Sequence, residues 1–188
     1  MARFVLMAIL VAASTAACSA EETDPKPPSD EGVVATTWRG QTVVHVDSVS
    51  RWAFEVPAPP FRVESTKFDP ATPPGKIKQR FELKDDTRLM VRVDLWTNSE
   101  GLALSSWIDT YATYLKNGGA DLEETTVGKA RVNAIVADQP RSCQAANIIT
   151  AVFALDGHVI AVTCANGEDP IARKAFDVVL NTFAREAR

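Results

Sequence analysis

The chain has 188 residues, enough for one domain with a real core and short for two. Hydrophobic residues make up 46% and charged residues 23%, which excludes wholesale disorder, collagen and coiled coil. The formal net charge of -4 leaves no basic footprint for nucleic acid.

Met1-Ala2-Arg3 is a short basic start, Phe4 to Ala13 is unbroken and apolar, and Ser14-Thr15-Ala16-Ala17 are small. The run is too short for a transmembrane helix, which needs about 20 apolar residues. Charge, apolar stretch and small residues in that order describe a secretory signal peptide over residues 1–17. Thr15-Ala16-Ala17-Cys18 resembles the bacterial lipobox, in which signal peptidase cuts before a cysteine that carries diacylglycerol. Thr15 stands where that family usually has an aliphatic residue. The resemblance implies lipid attachment at Cys18. Ser19 rather than Asp after the cysteine implies the outer membrane, with the domain facing the periplasm or the exterior. Ordinary cleavage, for example after Ala20, would instead give a secreted soluble protein.

Residues 18–32 carry the cysteine and then SAEETDPKPPSDEG, with five acids against one base and three prolines. Such a segment cannot bury enough apolar surface to offset its ordering entropy. It is expected to be a tether, and it holds most of the net negative charge of the protein. Residues 33–188 are expected to form a single α+β domain.

Thr42–Val49 and Trp52–Val56 read as strands, the second ended by Pro57. Phe61–Glu64 continues extended, and Thr66–Lys76 is expected as a loop. Lys78–Lys84 and Arg88–Trp96 predict a hairpin around Asp85-Asp86. In its second arm Leu89, Val91, Val93 and Leu95 alternate with Met90, Arg92, Asp94 and Trp96. Leu104, Trp107, Ile108, Tyr111, Tyr114 and Leu115 predict the apolar stripe of a helix, stopped by Gly118-Gly119. Val132, Ala134 and Val136 predict one face of a further strand. Asn147–Leu155 and His158–Ala165 flank Asp156-Gly157, the signature of a type I′ hairpin. Asp169 as N-cap and Pro170 in the first turn open a last helix. Ala172, Phe176, Val179, Leu180 and Phe183 are its expected buried stripe. Hairpin-linked strands with two main helices packed on them make an antiparallel α+β fold.

This layout resembles the PsbP/Mog1/DcrB-like group. The resemblance lies in the short strand Trp52–Val56 ending at proline, in Leu89–Trp96 leading into a helix, and in the late hairpin. It extends to a C-terminal helix ending Val179-Leu180-Asn181-Thr182-Phe183. It implies an α/β/α sandwich and a non-catalytic domain that binds or assists other proteins. It carries over no catalytic set.

Chemical motifs are few. His45 and His158 are isolated, and no zinc spacing, nucleophile elbow or phosphate loop occurs. Asp85-Asp86 and Glu123-Glu124 are expected as solvated turn residues. Asn166-Gly167-Glu168-Asp169 lacks the alternation of a calcium loop. No cofactor and no metal is expected. Setting Cys18 aside leaves Cys143 and Cys164, an even pair suited to an oxidising compartment. A two-residue turn at Asp156-Gly157 puts Cys164 opposite Ile149, and straight strands then leave Cys143 about 20 Å away. A disulfide needs Cα atoms within about 7 Å, so the Cys143–Cys164 bridge expected from the compartment requires the chain before Asn147 to bend back, as Gln139-Pro140-Arg141 allows. Trp96 either packs beneath the helix or, with Arg92, anchors an interface.

The function expected is a membrane-anchored, non-catalytic binding or assembly module with an envelope protein partner. The alternatives are a carrier of a small apolar ligand and a hydrolase with an unrecognised carboxylate site.

Overall fold

The computed structural model describes residues 34–38, 41–45, 52–57, 61–68, 75–116, 120–140 and 146–185. The expected signal peptide and tether, Cys18, Cys143 and the expected helix stop at Gly118-Gly119 lie outside the described residues. Among the described residues eleven strands form two antiparallel sheets. The smaller sheet holds β1 (Val34–Trp38), β2 (Gln41–His45), β3 (Trp52–Val56) and the two-residue β11 (Ala184–Arg185).

The larger sheet runs in the order β4-β5-β6-β10-β9-β8-β7. Its first meander is β4 (Phe61–Lys67), β5 (Ile77–Asp85) and β6 (Arg88–Thr97). Its second is β7 (Asp121–Val127), β8 (Val132–Gln139), β9 (Ile148–Leu155) and β10 (His158–Cys164). β6 and β10 join the two meanders at the centre.

That order explains the helices. β6 ends at the centre of the sheet and β7 lies at its far edge, so the connection must cross one face. Helix α1 (Leu104–Tyr111) and a 3₁₀ turn (Thr113–Lys116) make the crossing. Helix α2 (Pro170–Thr182) follows β10 and packs on β3, β6 and β10.

Period-two alternation divides the buried residues accordingly. Ile149, Ala151, Phe153, Ile160 and Val162 join α2 and β3 in one core. Val152, Val159 and Ala161, the residues between them, join Trp107, Ile108 and Leu115 in a second, smaller one. The result is an α/β/α arrangement with an added small sheet.

The Asp156-Gly157 turn has positive φ at both residues, 43° and 76°, and sets Cys164 opposite Ile149 as the type I′ geometry requires. α2 has its N-cap at Asp169, whose carboxylate accepts from the backbone N–H of Ile171 and Ala172, and the expected stripe is buried.

Pro57 withholds a ladder donor after β3, and the chain resumes in the larger sheet. Three expectations are corrected. β4 extends to Lys67, into the expected loop. Tyr114 is 47% exposed rather than part of the helical stripe. The α-helix stops at Tyr111, and the tighter 3₁₀ turn keeps Leu115 buried while rotating Tyr114 outward. Glu123 and Glu124 lie on edge strand β7, paired with β8, not in a turn. Six of its seven residues are exposed and five of those six are polar, which hides the strand from a hydrophobic pattern.

Candidate functional site

β6 presents Arg92, Asp94 and Trp96 on the face of the large sheet that α1 partly covers. Alternation along the strand puts them opposite Val91, Val93 and Leu95, which are buried in the main core. Asp94 is 2% exposed, and a buried carboxylate needs compensation. Arg80 of β5 supplies it with two donors, Nε to Oδ1 at 2.6 Å and Nη2 to Oδ2 at 3.3 Å. Arg92 Nε lies 3.0 Å from Oδ2 without the alignment of a hydrogen bond. The hydrogen bond to Asp94 holds the Arg80 guanidinium more firmly protonated than usual.

Further out, Lys84 bridges Glu64 at 2.6 Å and Glu82 at 3.1 Å, and Arg62 also pairs with Glu64. The hydrogen bond from Lys84 holds the Glu64 carboxyl below its usual range. The outer face of β4, β5 and β6 is thus a ladder of ion pairs, with one more cation than anion.

Trp96 packs edge-on against Trp107 of α1, ring centroids 5.6 Å apart, and Trp107 in turn meets Tyr111 at 5.8 Å. Trp96 is half-buried, so the helix takes up much of its ring. The indole N–H groups of Trp96 and Trp107 and the Nε–H of Arg92 are buried with no acceptor. Tyr111 rests on Gly75, which has φ of 67°, and a Cβ there would lie 2.1 Å from the ring. Tyr114, on the 3₁₀ turn, stands in the field of Arg92, Asp94 and Arg80.

Arg92 and Trp96 therefore share one strip with Asp94, as their i, i+2, i+4 spacing predicts. Arg80 was not legible as a member. A plain two-residue turn at Asp86-Thr87 would place Gln79 opposite Asp94. A register shift between Leu83 and Lys84 places Arg80 there instead, and lets adjacent Met90 and Val91 both enter the core.

The remaining candidates are spread out. Cys164 is a free, buried thiol in the main core, and burial pushes it up from the usual thiol value. His158 is half-buried with Nδ1 3.1 Å from the carbonyl of Asp156. Asp85 pairs with Arg88, which also reaches Asp169. In the Asn166–Asp169 loop, Asn166 Oδ1 accepts the N–H of Glu168, and Asp169 caps α2. Gly167 sits against Asn147. Among the described residues no cluster of three or more His, Cys, Asp or Glu is placed to hold a metal. No helix of the described residues is long and apolar enough to cross a membrane. An open depression of about 570 Å³ lies where α1 begins over β7 and β8, lined by Leu104, Ser105, Glu124, Thr126, Asn133 and Ile135. Its wall mixes polar and apolar groups.

No family model and no curated protein matches the chain. Eight solved chains match it in structure. One is cyanobacterial PsbP (CyanoP) from Synechocystis sp. PCC 6803, in solution, with a TM-score of 0.50 at 13% identity. The match covers 80% of this chain and 95% of that one. The fold is PsbP-like. At that identity the likeness concerns the fold and no residue of a site.

Proposed function

We propose that this chain is a membrane-anchored, non-catalytic binding or assembly module of the bacterial envelope. Cys18 is its lipid attachment point, the outer membrane its location, and an envelope protein its partner. The observation that carries the binding role is the strip on β6. Its buried carboxylate, Asp94, sits between two guanidiniums and fixes their positions on the sheet face. A rigid sheet face with fixed arginines beside a tryptophan suits recognition. The PsbP-like fold supports this reading by analogy. The lipobox-like Thr15-Ala16-Ala17-Cys18 and the acidic segment that follows support the anchor.

The test is the intact mass of the protein from the membrane fraction, with crosslinking in whole cells for native and Cys18→Ala chains. The expected mass is residues 18–188 plus acyl groups, with an envelope protein crosslinked to the native chain and much reduced for the variant. A non-acylated mass starting elsewhere in the sequence overturns the anchor. Equal crosslinking of both chains to no specific protein overturns the binding role.

A further inference from the structure

We propose that the outer face of β6, at Arg92 and Arg80, takes the carboxylates of an acidic, extended segment of a partner protein. The inference rests on the binding-module reading above and names the chemistry of the partner.

One guanidinium suffices to compensate one buried carboxylate, and Arg80 does so with two aligned hydrogen bonds. Arg92 is therefore surplus to neutrality at Asp94. Glu82, its cross-strand neighbour, is already engaged by Lys84. Nη1 of Arg80 and both terminal nitrogens of Arg92 make no hydrogen bond among the described residues. These terminal nitrogens belong to side chains that are partly exposed, so a ligand laid on the face can reach them. At its surface the strip holds more guanidinium donors than the described residues supply acceptors. What fits is a ligand rich in acceptors and negative charge, and the planar guanidinium fork matches a carboxylate.

The shape selects a peptide over a lipid surface. The side chains of Arg80 and Arg92 are only 26% and 33% exposed. They are recessed in a sheet face beside the 3₁₀ turn that carries Tyr114. A flat headgroup layer meets protruding cations, whereas an extended chain can lie along the face and lower its carboxylates into it. Tyr114, 47% exposed at the border, offers an aromatic flank.

The mature chain in detergent, labelled with nitrogen-15, is titrated with a capped hexaglutamate peptide. Capped hexaglutamine and inorganic phosphate serve as comparison probes. The Nε–H resonances of Arg80 and Arg92 and the indole resonance of Trp96 are followed. Hexaglutamate is expected to shift the two arginine signals saturably, with hexaglutamine without effect. Arg92→Gln is expected to weaken binding by about tenfold or more. Arg92→Lys, which keeps the charge beside Asp94 but loses the fork, also weakens it and serves if the glutamine variant does not fold. Lys129→Gln, a cation that pairs with Glu55 elsewhere, leaves it unchanged.

The proposal is overturned if hexaglutamine shifts the signals equally, or if both Arg92 variants bind hexaglutamate as tightly as the native chain. It is also overturned if phosphate competes at equal charge, which would make this a general oxyanion or headgroup site. Failure here with a crosslinked envelope partner intact removes the acidic occupant and leaves the binding-module reading standing.

Discussion

Asp94 shows how one residue can organise a surface. Buried beneath two guanidiniums, it fixes their direction more than it adds stability, because a buried ion pair recovers little beyond its desolvation cost. Removing it is a different matter, since Arg80 and Arg92 would then be left as like charges with no carboxylate between them. Asp94→Ala is expected to lower stability by about 2 kcal/mol, less than for a fully buried pair because both arginines are partly exposed. A urea midpoint shift at constant slope checks this. Cys164 illustrates the reverse case, a reactive type made inert by burial. Its thiol titrates above the usual value because the main core disfavours the thiolate. Stability is therefore full below the ordinary thiol range and falls as pH climbs through it. Iodoacetamide at pH 8 should leave Cys164 unmodified in the native chain and modify it in denaturant with reductant.

The two helices differ in how they are held. α2 is capped by Asp169 and closed at its C-terminal end by the β7–β8 turn, where Gly128 and Lys129 donate to the carbonyls of Leu180 and Phe183. Gly128 is needed there, since a Cβ would come 2.4 Å from the Phe183 oxygen. Asp169→Ala should cost about 1 kcal/mol, read from the thermal midpoint. It also frees Arg88, whose second partner Asp85 remains. α1 has only Ala103 at its N-cap, with no side-chain bond to the first turn. Ala103→Ser should stabilise the chain by about 0.5–1 kcal/mol, with slowed hydrogen exchange confined to α1 and the 3₁₀ turn. α2 was legible because cap, proline and stripe all agree. The end of α1 was not, because Tyr114 fits the helical spacing and only the change to a 3₁₀ turn rotates it out.

At the scale of the molecule, Phe183 joins what the chain order separates. Its ring meets Trp52 and Phe54 of the small sheet and Phe153 of the large one, with centroids 5.2 to 5.9 Å apart. The Trp52 indole N–H also reaches Asp156 in the β9–β10 turn at 3.2 Å. Phe183→Ala should cost about 3–5 kcal/mol by leaving a cavity at this junction. Faster hydrogen exchange is expected first in β2 and β3, with β9 and β10 protected longer. Equal loss of protection in both sheets would show that they unfold as one unit instead.

Local chemistry is what the sequence determined by itself. The Asp156-Gly157 turn, the Asp169 cap, the alternation of Arg92, Asp94 and Trp96, and the α+β class all follow from neighbours within one or two turns of chain. Tertiary structure alone decided the division into two sheets, the strand character of exposed β7, and the meeting of Arg80 with Asp94. Each depends on pairing between distant segments. A one-residue register shift changes which side chain faces which, and nothing in the local pattern records where that shift falls.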